Sequence, residues 1–103
     1  MSDAVPSARP QGGEALVRVL EIVNKKGLHA RAAAKFVQTA EKFDAQVQVS
    51  SDGEAIDGTS ILDLLMLAAA PGTSITVTTK GPQADEAMEA IVTLVNSGFG
   101  EED

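Results

Sequence analysis

The one histidine of this 103-residue chain stands in a short, strongly cationic window. Between Ile22 and Ala40 lie Lys25, Lys26, Arg31 and Lys35, with no Asp or Glu. All 15 acids and the other four cations lie elsewhere, so His29 sits in a net +4 island on a chain that is otherwise net −11. Near neutral pH much of an imidazole is uncharged and nucleophilic. Set among cations, it is suited to holding and passing on an anion, and a phosphoryl group fits these residues best. Phosphate on an imidazole nitrogen is energy-rich and can be handed on, whereas phosphate on a hydroxyl is harder to return.

A helix must present that histidine. Ala30 to Phe43 carries Ala33, Phe36, Val37 and Ala40 at the three-and-four spacing of one buried face. The helix opens with Gly27-Leu28-His29-Ala30-Arg31 and has no Ser, Thr, Asp or Asn to cap it. Its first N–H groups therefore lack a partner supplied by sequence and carry the positive end of the helix dipole, which makes an anion site. A phosphoryl group on a ring nitrogen of His29 is expected to meet the backbone N–H groups of Ala30, Arg31 and Ala32. The Arg31 guanidinium adds a fork that matches phosphate oxygens. Lys25, Lys26 and Lys35 are read as solvated charges that set the field rather than touch the ligand.

The second helix, Ser60 to Ala70, is unusual in a different way. Ser60 can cap it, with Asp63 answering three residues later. Ile61, Leu62, Leu64, Leu65, Met66 and Leu67 are apolar on both stripes. A small sheet can bury only one of them, so the surplus is expected to form an exposed apolar patch of the kind that marks partner surfaces. A phosphate on Ser60 suits the helix start and would put negative charge beside that patch, where it could block docking.

Around these two helices, Leu16 to Val23 reads as a strand and Asn24 to Gly27 as a turn. Val47 and Val49 alternate with Gln46 and Gln48, Asp52-Gly53 is a favoured hairpin turn, and Glu54 to Asp57 pairs back. Ser74 to Thr79 alternates again. Gln83 to Ser97 is a helix with Ala84, Ala87, Met88, Ile91, Leu94 and Val95 inward and Gly98 at its stop. The order βαββαβα predicts an α+β domain whose helices cover one face of a mostly antiparallel sheet. Residues 1–13 read as a flexible extension, 14–100 as the domain and 101–103 as a frayed acidic end.

Composition removes several functions. No apolar run approaches a membrane span, and the first residues have no signal-peptide core, so a cytoplasmic protein without membrane contact is expected. Zero cysteines and one histidine leave no thiol chemistry and no histidine-rich metal site, so neither metal nor cofactor is expected. A net charge of −7 with three Phe and no Trp or Tyr argues against nucleic acid. A hydrolase using His29 as a base would lack a convincing Ser-His-Asp or Cys-His set.

Gly27-Leu28-His29-Ala30-Arg31-Ala32-Ala33-Ala34-Lys35-Phe36-Val37 resembles the active-site signature of the HPr family, histidine phosphocarriers of the bacterial phosphoenolpyruvate-dependent phosphotransferase system. Gly58-Thr59-Ser60-Ile61-Leu62 resembles that family's regulatory-serine region, and the likeness spans roughly residues 15–98. The resemblance implies an open-faced β-sandwich, a four-stranded antiparallel sheet with three helices on one face. It implies that His29 takes phosphate on Nδ1 from Enzyme I and gives it to an EIIA-type protein, with Arg31 steadying the phosphoryl group. Ile61, Leu62 and Leu65 would help form the docking surface for both partners, and Ser60 would match the serine modified by HPr kinase/phosphorylase in some bacteria. Ala32 stands where sugar-branch carriers usually have Pro, which restores a backbone N–H and resembles the nitrogen branch, NPr, with its own Enzyme I. Asp63 stands where many sugar-branch carriers have a cation. The expected protein is a monomeric carrier rather than an enzyme, with transient interfaces near or below ~1,200 Å². The alternative is a regulatory binding module controlled by phosphorylation at Ser60 or His29.

Overall fold

In a computed structural model of the chain, residues 15–51, 53–67 and 69–101 are described. The elements are β1 (Ala15–Glu21), α1 (Ala30–Ala40), β2 (Gln46–Ser51), β3 (Glu54–Asp57), α2 (Ile61–Leu67), β4 (Ser74–Lys80) and α3 (Ala84–Asn96), the expected βαββαβα order. The strands form one sheet in the order β1-β4-β2-β3, and every pairing is antiparallel.

Strand alternation decides which face of the sheet is covered. Leu20, Val47, Val49, Ile75 and Val77 point inward and are buried with the helices, while Val17 and Val19 on the other face are 56% and 66% exposed. Register brings the inward residues together, with Leu20 opposite Ile75 and Val49 opposite Val77. The helices close the layer with the faces their spacing predicts. Ala33, Phe36, Val37 and Ala40 of α1, joined by Ala32, are buried. So are Ala84, Ala87, Met88, Ile91 and Val95 of α3, and Leu94 packs against the same core, partly buried.

Element ends differ from the sequence expectation for local reasons. Strand β1 stops at Glu21, yet Ile22 keeps pairing by donating to Thr73 C=O at 2.8 Å and accepting from Gly72 N–H at 2.8 Å. Helix α1 ends at Ala40 rather than Phe43, because Lys42 and Phe43 bond three residues back, to Thr39 and Ala40, in a tightened last turn. Helix α2 is described over Ile61–Leu67, and Ala68 of its expected span lies outside the described residues. The extension at 1–13 and Asp52 of the hairpin turn lie outside the described residues.

Beyond α3 the chain does not simply stop. Gly98, Phe99 and Gly100 form a short 3-10 turn with φ values of +67°, +59° and +70°. A left-handed phenylalanine is uncommon and persists only where the surroundings fix it. Here two contacts do so: the Phe99 side chain is fully buried in the core, and its carbonyl accepts from Lys35 Nζ at 2.7 Å. Lys35, expected to be solvated, is instead half-buried and ties this turn to α1. Phe99→Ala should cost about 3–5 kcal/mol of stability, read as a lower midpoint in urea unfolding, because the cavity it leaves has no side chain to refill it.

Candidate functional site

The site is built on the start of α1. His29 is the N-cap residue, extended at φ −87° and ψ −175°, and Ala33 N–H closes the first turn by donating to its carbonyl at 2.8 Å. The His29 side chain also caps the helix, with Nδ1 accepting from Arg31 N–H at 3.3 Å. The helix start is therefore not wholly uncapped, as the sequence suggested, because the histidine fills the role usually taken by Ser or Asp. The bond is long, at the weak end of the range. Among the described residues, no protein acceptor is bonded to Ala30 or Ala32 N–H. Arg31 is exposed, and no described residue holds its guanidinium.

The loop before the helix is held by backbone. Leu28 N–H donates to Ala69 C=O at 3.0 Å, joining this loop to the segment that follows α2. Gly27 has φ +69°, and a Cβ there would stand 2.6 Å from the Ala69 oxygen, so the close approach requires glycine. The turn to which Asn24 was assigned also holds a buried polar group. Asn24 Nδ2 donates to Gly27 C=O at 2.8 Å and to Glu101 Oε1 at 3.1 Å. Both partners are acceptors, which fixes the amide's orientation. Asn24 Oδ1 is buried without a protein donor among the described residues.

Of the end expected to be frayed at 101–103, Glu101 is bonded into the fold, and 102–103 lie outside the described residues. The Glu101 carboxylate bonds His29 Nε2 through Oε2 and Asn24 through Oε1. The imidazole side chain is 28% exposed and the carboxylate's side chain 14%. Because Nδ1 accepts from Arg31, a neutral His29 ring carries its hydrogen on Nε2 and donates it to Glu101. The cation island contains no acid in sequence, yet in space a carboxylate enters it from the far end of the chain. Sequence reasoning missed both Asn24 and Glu101. The one available signal was Gly98-Phe99-Gly100, an apolar anchor between two glycines just ahead of Glu101.

The apolar surplus of α2 is exposed as its patterning implied. Leu64 alone is buried, while Ile61, Leu62, Leu65 and Met66 are 42%, 66%, 36% and 74% exposed. Met66, outside the expected docking set, is the most open of them. Ser60 Oγ accepts from Asp63 N–H at 3.2 Å, as a cap should. The reciprocal half of a capping box is not made, since Ser60 N–H donates to Asp57 C=O at 3.2 Å. Two surface grooves run along α3, lined by residues such as Arg18, Glu89 and Thr93 or Lys42 and Ser97, and neither is lined by His29. No group of three or more possible metal ligands occurs among the described residues, and no helix there is long and apolar enough to cross a membrane.

A half-buried histidine at a helix start, beside an exposed apolar helix and on an open-faced four-stranded sheet, defines a class of small α+β domain. The family pattern described as the PTS HPr component phosphorylation site matches residues 16–97. The phosphocarrier protein HPr of Neisseria meningitidis serogroup A is 49% identical over 86 residues, covering 84% of this chain and 97% of that protein. The phosphocarrier protein NPr of Escherichia coli K12 is 43% identical over 86 residues, covering 82% and 96%. The crystal structure of HPr-C-His from Thermoanaerobacter tengcongensis superposes with a TM-score of 0.81 at 41% identity, covering 85% of this chain and 99% of that one. The chain belongs to the HPr family of phosphocarriers of the phosphotransferase system.

The Glu101 carboxyl is held below the usual glutamate range, first by its bond to His29, with Asn24 and the His29 and Lys26 charges helping against partial desolvation. A carboxyl lowered on folding contributes its stabilisation above the ordinary glutamate range and loses it as pH falls through the lowered value. The clasp should therefore be intact at neutral pH and open only below the ordinary glutamate range. An NMR titration of the Glu101 side-chain carboxyl carbon checks this: its own titration step should fall below the ordinary glutamate range.

Proposed function

We propose that His29 accepts a phosphoryl group on Nδ1 from Enzyme I and passes it to an EIIA-type protein in the cytoplasm. The protein then acts as a stoichiometric carrier, with no turnover of its own. The observation that carries this reading is the placement of Nδ1 against the Arg31 N–H at the start of α1. Attack by the Nδ1 lone pair forms the N–P bond as the donor's bond to phosphorus breaks and its electron pair stays with the donor. The lone pair that accepted from Arg31 is then used, and the freed N–H, with those of Ala30 and Ala32, can donate to phosphoryl oxygens. The exposed Arg31 guanidinium can swing onto the same oxygens. No metal or cofactor enters this scheme. The family's own partners, Enzyme I or its nitrogen-branch counterpart and an EIIA-type acceptor, supply the donor and receiver. Relatives named both HPr and NPr resemble the chain, so the reading covers both branches.

Incubation with phosphoenolpyruvate and Enzyme I should yield an acid-labile, alkali-stable phosphate, and His29→Ala should abolish it. A label that survives that change would sink the relay.

A second reading rests on Ser60, which is half-buried at the start of α2 and adjoins the exposed Ile61 and Leu62. A phosphate placed there by an HPr kinase/phosphorylase would set negative charge on the docking face. Ser60→Asp should then weaken binding to Enzyme I in a calorimetric titration, and unchanged affinity would count against Ser60 as a switch.

A further inference from the structure

Resting on the His29 relay, we propose that Glu101 is a positioning residue for phosphoryl transfer, its carboxylate holding the Nε2–H of His29 so that the Nδ1 lone pair is the nucleophile and faces the helix start. Three observations converge on it. The carboxylate bonds Nε2 with one oxygen and Asn24 with the other, so it bridges the ring and the loop that carries the ring. The turn that delivers it is fixed rather than free, through the buried Phe99 at φ +59° and the Lys35 bond to the Phe99 carbonyl. The opposite ring nitrogen is already pointed at Arg31 N–H, so the two ring nitrogens have separate and compatible partners.

The chemistry gives this arrangement two effects. The first is selection of a tautomer. A neutral imidazole can carry its hydrogen on either nitrogen, and only the form with hydrogen on Nε2 leaves a lone pair on Nδ1. An acceptor at Nε2 favours that form, as second carboxylates do for histidines that ligate metals. The second is charge. When the Nδ1 pair goes to phosphorus, the ring, still carrying its Nε2 hydrogen, becomes cationic. A carboxylate already bonded to that hydrogen offsets the charge without any solvent rearrangement. In the return direction the N–P bond breaks, the pair returns to Nδ1, and the neutral tautomer is restored with its hydrogen where it began. No proton needs to leave the site in either direction. Glu101 touches neither the phosphoryl group nor the partner, and it acts only through His29.

The experiment compares the full-length chain with Glu101→Ala and Glu101→Gln. Ring ¹⁵N chemical shifts of His29 report the tautomer at slightly alkaline pH. Quench-flow with phosphorylated Enzyme I reports the rate of acceptance. The wild-type ring should show a protonated Nε2 and an unprotonated Nδ1. Glu101→Ala should show averaged shifts from a tautomer mixture and accept phosphate roughly 10-fold more slowly, the size of loss seen when a histidine's outer carboxylate is removed. Glu101→Gln keeps an acceptor oxygen without charge, so it should restore the tautomer but only part of the rate. Glu101→Ala with wild-type shifts would overturn the proposal whatever its rate, and so would a slower rate accompanied only by a lower unfolding midpoint. Failure of the wild-type protein to take phosphate on His29 would instead sink the relay, and the ring shifts would still judge the clasp.

Discussion

The imidazole of His29 is held at both of its nitrogens, and the rest of the site follows from that constraint. Nδ1 caps α1 by accepting from Arg31, and Nε2 donates to Glu101. A ring bonded on one side only could rotate and interchange its nitrogens. Bonded on both, it presents one nitrogen in one direction. The helix beneath is fixed by Ala33, Phe36 and Val37 against the sheet, and the loop before it by Leu28 and Gly27 against Ala69. In the proposed relay the cap is exchanged rather than lost. Arg31 N–H gives up a long bond to nitrogen and gains a charged oxygen, a stronger acceptor. A Ser or Asp cap in place of His29 would hold the helix as well, but it would offer no ring nitrogen to carry a phosphoryl group in the proposed relay.

What could be read from sequence was what depends on near neighbours. The faces of α1 and α3, the strand alternation and the strand-helix order rest on periodicities of two and 3.6 residues, and these hold in the fold. His29 was legible because charge and glycine cluster within a few residues of it. The apolar excess on α2 was legible because one helix cannot bury both stripes against a small sheet. Glu101 was not legible, since it meets His29 from 72 positions away and its residue type, in a run of acids, reads as solvated tail. Asn24 was read as a turn residue, because nothing local says that its amide is buried and bridges two carbonyl-type acceptors. Lys35 was read as solvated for the same reason. The carbonyl it binds belongs to a turn that exists only because Phe99 is buried.

The sequence's charge asymmetry also takes a different meaning in space. The cation island attracts anions over distances comparable to the Debye length, about 8 Å at physiological salt. Lys25, Lys26 and Arg31 are exposed and remain available for that. Lys35 is turned inward, and Glu101 places a carboxylate beside the ring. The field at His29 is therefore weaker than the residue count suggests but more directional. The carboxylate lies on the Nε2 side, and the cationic helix start on the Nδ1 side. An anion approaching the ring is repelled from one nitrogen and drawn to the other.

A carrier must also leave its partners, and α2 shows how a fold can keep a sticky surface without collapsing it. The helix is seven residues long, too short to be stable by itself. Buried Leu64, the Ser60 cap and the bond from Leu28 to Ala69 hold its position, and none of them covers its outer face. Ile61, Leu62, Leu65 and Met66 stay exposed because α1 and the sheet already fill the space on the inner side. Such a face is small, which in the proposed relay suits a contact that must be broken after each transfer. Covering the patch would make the domain more stable, yet it would remove the surface proposed to dock a second protein beside His29.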